Sequence, residues 1–412
     1  MLTSLLRAVG VRDIGFGTRS TVKKGKGTIE VALVLDNSGS MAGQPVADLR
    51  TAAQNLVNVL YAGYEGTDKV KVGLVPFAAA VNVGTSKQNA PWMDTAGASP
   101  VHYENFAEPR TRFQLLSDMG TAWGGCVEVR PSPHDVTDSL PTANTPASLF
   151  VPMFAPDEPD SANDGGNYYS NNYISDTGGT CPVPPRTCLH TNWRGRCTSW
   201  STPPPLAPAE AQARTCKYAG ASIGSAQGPN YLCDSKPILP LSDDKASVQS
   251  VIQGLIAKGG TNILEGVMWG WRVLSPEEPF TEGRPYTDAE NSKYLIVMTD
   301  GENWHQAMSN HNKSSHHSFG YASNGRLGTT YTTSALINQM NTKTLAACAN
   351  AKSAGIKVYT IAFRLESDPN TRAMLASCAS SAGEAYAASN GTALIQAFES
   401  IGREIAKLRI AG

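Results

Sequence analysis

Hydrophobic and polar positions along this chain alternate between strand-like and helix-like runs, and the alternation breaks twice. Residues 31–35 (Val-Ala-Leu-Val-Leu) form an unbroken apolar run, the pattern of a strand buried on both faces of a parallel sheet. Val46, Leu49, Ala52, Ala53, Leu56, Val57 and Leu60 then follow at helical spacing. Residues 69–77 read as a second strand, and 78–83 as a short edge strand folded back antiparallel through a tight turn. Near Gly84 the pattern stops. It resumes at Leu241 with helical runs over 248–257 and 263–274, and then an apolar strand over 294–299. A helix over 334–354, a strand over 356–363, a helix over 371–378, a short strand over 384–387 and an amphipathic helix over 394–408 complete it. This alternation specifies an α/β fold built on a doubly wound, mostly parallel sheet.

The first interruption, residues 85–235, shows little periodicity and is rich in Pro, Gly, Asn and Ser, as at Tyr168 to Tyr173, Pro182, Pro184, Pro185, Pro203, Pro204 and Pro205. A loop of that length within a domain is functional or disordered. Scattered aromatics (Trp92, Tyr103, Phe106, Trp123, Phe150, Phe154, Trp193, Trp200) argue against disorder. So do six of the eight cysteines: Cys126, Cys181, Cys188, Cys197, Cys216 and Cys233. None sits in a CxxC pair, which disfavours zinc, and their density suits disulfides and an oxidising compartment. Six cysteines allow fifteen pairings, and the sequence does not choose among them. Cys348 and Cys378 fall on successive helices, either bridged on one face of the sheet or present as two buried thiols. The expectation is a large disulfide-rich irregular insertion with little core of its own. In the second interruption, 302–333, His305, His311, His316 and His317 cluster. Imidazoles suit Zn, Cu or Ni, but a mobile, solvated loop is the favoured reading.

Candidate chemistry gathers at the C-terminal end of the first strand, where Asp36, Ser38 and Ser40 precede a helix. Open α/β sheets place their ligands in such loops. Thr261, in Gly259-Gly260-Thr261-Asn262, and Asp300, directly after the strand over 294–299, can supply a fourth and a fifth oxygen. Hard cations prefer oxygen donors, near-octahedral geometry and a few retained waters. Asp-x-Ser-x-Ser alone is also compatible with a helix N-cap cluster; Thr261 and Asp300, each after the right kind of element, favour the metal. The predicted ligands are therefore Asp36, Ser38, Ser40, Thr261 and Asp300, and the cofactor is Mg²⁺, with Mn²⁺ or Ca²⁺ as alternatives. Two carboxylates and three hydroxyls leave the shell short of donors, so a carboxylate from outside can complete it.

This set resembles the metal-ion-dependent adhesion site of von Willebrand factor A domains. The resemblance implies a non-enzymatic, metal-dependent protein-binding module whose partner offers an Asp or Glu carboxylate. It divides the chain into an extended lead-in (1–28), an A domain (29–84 and 236–412), the Cys/Pro/Gly-rich insertion (85–235) and a second, His-containing insertion (302–333). The first insertion is expected near the metal face, carrying partner specificity, so that deleting 90–230 preserves metal binding while abolishing partner binding. Within the family, the stretch from Glu30 to Met41, Gly124-Gly125-Cys126 through Pro131, Leu149 through Pro156, Asn171-Asn172-Tyr173 and Cys378 with the closing helix resemble TadG-like proteins of tight-adherence (Flp-type) pilus systems. That implies pilus assembly or cell-surface adhesion in the cell envelope, periplasmic or at the surface, with pilus or envelope components as partners.

Charge and composition exclude some classes. The chain has 412 residues, 41% hydrophobic, with a net charge of −1 and a pI near 6.7, so it carries no overall electrostatic footprint for nucleic acid or an anionic membrane. It contains no run of the ~18 apolar residues needed to span a bilayer. Leu2, Leu5, Leu6, Ala8 and Val9 are interrupted by Arg7, with no cleavage site after them. TadG-like proteins carry an N-terminal membrane helix, and the cysteines call for an oxidising compartment. The natural polypeptide is therefore expected to extend upstream of Met1 through such an anchor, with 12–412 outside the cytoplasm. No GxSxG, HExxH, Walker A or GxGxxG stands in a suitable context. Two alternatives remain: an envelope hydrolase using the His-containing insertion or an insertion cleft, and an intracellular A domain serving an ATPase partner.

Overall fold

The computed structural model describes residues 27–160, 169–182, 185–201, 206–223 and 227–410. The apolar stretch at 1–11, Lys23, Lys24 and Lys26 of the lead-in, Tyr168, Pro184 and Pro203 to Pro205 lie outside the described residues. In chain order the elements are β1 (Thr28–Asp36), α1 (Gln44–Tyr61), β2 (Val70–Phe77), α2 (Arg112–Asp118), β3 (Cys188–Thr191), β4 (Cys197–Trp200), α3 (Pro208–Ala213) and β5 (Leu239–Ser242). Then come α4 (Lys245–Gln253), α5 (Ile263–Leu274), β6 (Asn291–Thr299), α6 (Thr333–Ser353), β7 (Lys357–Phe363), α7 (Pro369–Cys378), β8 (Ala385–Ala388) and α8 (Gly391–Ile410). Six strands form one sheet in the order β5-β2-β1-β6-β7-β8. All neighbours pair parallel except β5, which runs antiparallel to β2 at the edge.

Alternation along β1 explains the layers. Val31, Leu33 and Leu35 face one core, shared with α1, α4 and α8. Ala32 and Val34 face the other, shared with α5, α6 and α7. The sheet is therefore covered on both faces, as its near-continuous apolar strands require. Residues 78–83 turn back antiparallel at a single bridge, Phe77 to Val81, but do not form the expected edge strand. Their backbone groups go to three different segments: Ala78 accepts from Asn262 N, Val83 donates to Gly125 O, and Asn82 accepts from Ile238 N. With that backbone committed elsewhere, β5 takes the edge beside β2. The helix expected over 248–257 lies earlier, capped by Asp244, whose side chain accepts from Ala246 N, and it ends at Gly254.

All eight cysteines are paired, as Cys126–Cys233, Cys181–Cys216, Cys188–Cys197 and Cys348–Cys378. The last pair resolves the alternative left open by the sequence. Residues 85–235 are not a lobe with little core of their own. Trp92, Leu115, Leu116, Trp123, Phe150 and Phe154 join α5 and α6 in a single apolar cluster. Every residue of α5 is buried, with Trp269 against Phe150 at 4.9 Å between ring centroids. A buried ionic knot ties the same layer. The Arg112 guanidinium pairs with Glu128 and donates to the carbonyls of Val101 (3.1 Å), His102 (3.0 Å) and Pro152 (3.1 Å).

The second insertion likewise departs from the expected mobile, solvated loop. His305, His316 and His317 are buried, and the His305 and His317 rings stack at 4.6 Å. His311 contacts Tyr169, Oη to Nδ1 at 2.8 Å. The reason is that the first insertion covers it: Gln212 and Asn312 exchange side-chain hydrogen bonds at 2.9 and 2.8 Å, and Val129 N donates to Ser318 O. Among the described residues, no group of three or more His, Cys, Asp or Glu is placed to hold a metal.

Candidate metal centre

β1 lies between β2 and β6, so the chain winds outward in both directions from it. The crevice at such a topological switch point, beyond the carboxyl ends of the strands, is where open α/β sheets hold ligands. Asp36 closes β1, and Asp300 follows β6. Asp36 is fully buried, and its Oδ1 accepts from Ser38 N at 2.7 Å, a local turn that sets the loop direction. Ser38 Oγ lies 3.0 Å from Ser40 Oγ. Ser40 Oγ donates to Asp300 Oδ1 at 2.5 Å. Thr261 enters from the third loop. A Cβ on Gly301 would stand 3.6 Å from Thr261 Oγ1 and 3.7 Å from Ser40 Oγ, so both hydroxyls border the same small space. The five residues singled out in the sequence are thus brought to one place.

Backbone hydrogen bonds stitch the three loops together. Gly39 N donates to Gly259 O, Lys258 N to Asn37 O, and Trp304 N to Thr261 O. Gly259 has φ +84, and a Cβ on Gly260 would stand 2.6 Å from the Trp304 ring, so this loop needs both glycines. The start of α5 points into the same region, and its free N–H groups are satisfied by side chains. Asn262 Oδ1 accepts from Glu265 N at 3.2 Å, and Asn303 Oδ1 from Ile263 N at 2.8 Å.

The electrostatics of the pair are strained. Burial, with the Asp300 carboxylate beside it, pushes Asp36 up to about 6 against the hydrogen bonds from Ser38 and Thr299. Burial raises Asp300 too, opposed first by the Ser40 hydroxyl. A cavity of about 390 Å³ opens over the site, with Ser38, Ser40 and Thr261 as polar lining, Leu232 and Trp304 as apolar lining, and Glu302 as an acid. Glu302 is exposed.

Several of these residues escape a motif reading. Thr299 Oγ1 donates to Asp36 Oδ2 at 2.5 Å and accepts from Gly301 N at 3.2 Å; its only sequence signal is its place before Asp300. Trp304 and Asn303 lie just past the motif. Leu232 comes from the far end of the first insertion, next to the Cys126–Cys233 bridge, and has no local signal.

No protein-family model matches the chain, and no curated protein matches it. Solved structures overlap it at low identity. One is the pilus adhesin SpaC from Lactobacillus rhamnosus GG in an open conformation (13% identity, 95% of this chain, 31% of that chain, TM-score 0.39). Another is the vWF domain of the type V pili tip protein Mfa5 from Porphyromonas gingivalis (10% identity, 92% of this chain, 95% of that chain, TM-score 0.43). A third is the adhesive tip pilin GBS104 from Group B Streptococcus agalactiae (10% identity, 92% of this chain, 100% of that chain, TM-score 0.43). The chain thus spans under a third of the SpaC adhesin's length.

Proposed function

We propose that this protein is a non-enzymatic, metal-dependent protein-binding module of the cell envelope, acting in pilus assembly or surface adhesion. The observation that carries the reading is the meeting of Asp36, Ser38, Ser40, Thr261 and Asp300 at one switch-point cavity, from three separate loops. The donor set fits a hard divalent cation: it is all oxygen, without imidazole or thiol. It also has a reason to want one. Burial, and after it the Asp300 carboxylate, raise Asp36 to about 6, and a cation relieves the repulsion between the two carboxylates in this poorly solvated site. Mg²⁺ held there would supply a Lewis-acidic centre that a partner's Asp or Glu carboxylate completes. Beside it, Trp304 and Leu232 offer apolar contact to the residue flanking that carboxylate. The envelope setting is supported by four disulfides and no free cysteine, together with the TadG-like motifs of the sequence.

Calorimetric titration of the full chain with Mg²⁺ and Mn²⁺ tests the reading. The wild type is expected to bind one equivalent. Asp36→Ala and Asp300→Ala are each expected to lose binding while keeping a cooperative melt, because both side chains sit at the carboxyl ends of β1 and β6, outside the two apolar cores. Wild-type affinity in both variants would show that these residues are not the ligands.

A further inference from the structure

We propose that the β3–β4 hairpin, closed by Cys188–Cys197, is a docking tip for an anionic lipid surface. Residues 189–196 are all exposed, so the hairpin stands clear of the body. It is nonetheless well defined. Asn192 N donates to Arg196 O and Gly195 N to Asn192 O, both at 2.9 Å. Asn192 Oδ1 accepts from Arg194 N and Arg196 N at 3.0 Å each, and the disulfide closes the ladder beneath that turn.

A rigid, isolated hairpin has no use for large apolar side chains unless something covers them. Of the six large hydrophobic residues exposed among the described residues, three are here: Leu189 at 57%, Trp193 at 86% and Trp200 at 54%. Trp193 sits at the tip, with the Arg194 guanidinium over its ring at 4.5 Å. Local charge is one-sided. Between Asp176 and Glu210 the chain carries Arg186, Arg194 and Arg196 and no acid, although the whole protein is slightly negative. The partner is therefore anionic as well as apolar.

The placement of the apolar residues selects a lipid surface over a protein groove. Leu189 lies on β3, Trp193 in the turn and Trp200 on β4, each more than half exposed, so apolar surface is spread over both strands and the tip. Apolar residues on both strands, with an indole at the tip, suit end-on entry into a medium that surrounds the hairpin, whereas a groove covers it from one side. Strands of four residues reach about 13 Å, comparable with the roughly 5–10 Å depth at which interfacial segments bury their apolar groups. Indoles favour the headgroup level, and guanidinium groups pair with phosphates there.

The experiment is co-sedimentation of the full chain with phosphatidylcholine vesicles and with vesicles that also contain phosphatidylglycerol. Binding is expected only to the anionic vesicles, weakening as salt is raised. Arg194→Ala and Arg196→Ala should each lower partitioning about fivefold at low salt, and Trp193→Ala should lower it as well. All three side chains are solvent-exposed, so the melting temperature is expected to stay unchanged, separating lost binding from misfolding. A control, Arg403→Ala on α8, should bind like the wild type. The proposal is overturned if the three hairpin variants bind the vesicles as well as the wild type does. It is equally overturned if the protein ignores the vesicles, whether it binds nothing or instead binds soluble polygalacturonate through Trp193 and the arginines, which would make an acidic polysaccharide the partner.

Discussion

Thr299 shows how a site extends past its motif. Asp36, Ser38 and Ser40 were legible because they are contiguous, and Asp300 because it ends an apolar strand. Thr299 makes the short hydrogen bond to Asp36 Oδ2, but nothing in the sequence reveals that its side chain turns toward β1. Thr299→Val keeps the shape and removes the donor. Losing an outer partner of a ligand typically costs tenfold or more in metal affinity, so about a tenfold weaker Mg²⁺ affinity with an unchanged fold is expected by calorimetry; an unchanged affinity would deny Thr299 a positioning role. The buried histidines make a second residue-level prediction. Burial pushes His305 down to about 4 and His316 to about 3, while unfolded imidazoles titrate near 6.5. The unfolded chain therefore binds more protons below about pH 6.5, and the stability these residues contribute is present above that value. It is lost progressively as pH falls toward 4 and then 3. For His305 alone the shift corresponds to about 3 kcal/mol. Asp36, raised to about 6, acts in the opposite sense, as do Asp300, Asp157, Glu158 and Glu265, whose carboxyls burial also raises. The His305 contribution is isolated by comparison with His305→Gln: the urea midpoint of the wild type relative to that variant should fall between about pH 7 and pH 5. A difference between the two that is independent of pH over that range would contradict the buried, neutral assignment.

At the scale of elements, the apolar periodicity located the strands and helices because each carries a strong, local pattern. It failed where tertiary contacts decide. Residues 78–83 look like a strand, yet their backbone is shared among three segments, and no local pattern records such partners. β5 is four residues long and too short to announce itself. α5 was visible as a helix, but not the reason for its two glycines. A Cβ on Gly270 would stand 2.4 Å from both Leu295 Cδ1 and Val34 Cγ2, and one on Gly266 would meet Phe77 and Val34 at 2.8 and 2.9 Å. These glycines let the helix lie directly on β1 and β6. Gly270→Ala gains about 1 kcal/mol of helix propensity but overpacks a tight layer, which typically costs about 1–3 kcal/mol. The clash is with two strand side chains at once, so the loss should win, and a lower melting temperature is expected; a higher one would mean that the layer can relax. The disulfides divide in a similar way. Cys348–Cys378 ties α6 to α7 inside the core, and replacing both with Ala should cost roughly 2–4 kcal/mol.

At the scale of the whole molecule, the large insertion proves to be a structural layer. α5 lies between the sheet and residues 85–235, and a helix apolar on all sides needs cover on all sides. Phe150 packs against Trp269 and lies beneath the guanidinium groups of Arg130 and Arg272, and Glu128 pairs with both Arg112 and Arg326. Low periodicity hid this from the sequence, because loops can pack aromatics and buried ions without any repeating pattern. Deleting 90–230 would therefore not leave a working metal module, contrary to what the sequence alone suggests. It would strip Trp92, Phe150 and Phe154 from Trp269 and its neighbours, and each buried aromatic covers about 150–250 Å². The exposed patch would exceed the few hundred Å² that a soluble surface tolerates, and Arg326 would lose its Glu128 and Glu104 partners together. The deleted protein is expected to aggregate and show no cooperative melt. Excising only 187–201 removes a segment whose residues 189–196 are all exposed, and the Cys181–Cys216 bridge still closes the chain around the gap. That smaller deletion should retain the wild-type melting temperature and Mg²⁺ affinity. If the large deletion melts cooperatively and still binds Mg²⁺, the insertion is separable after all, and the shared core does not hold the sheet together.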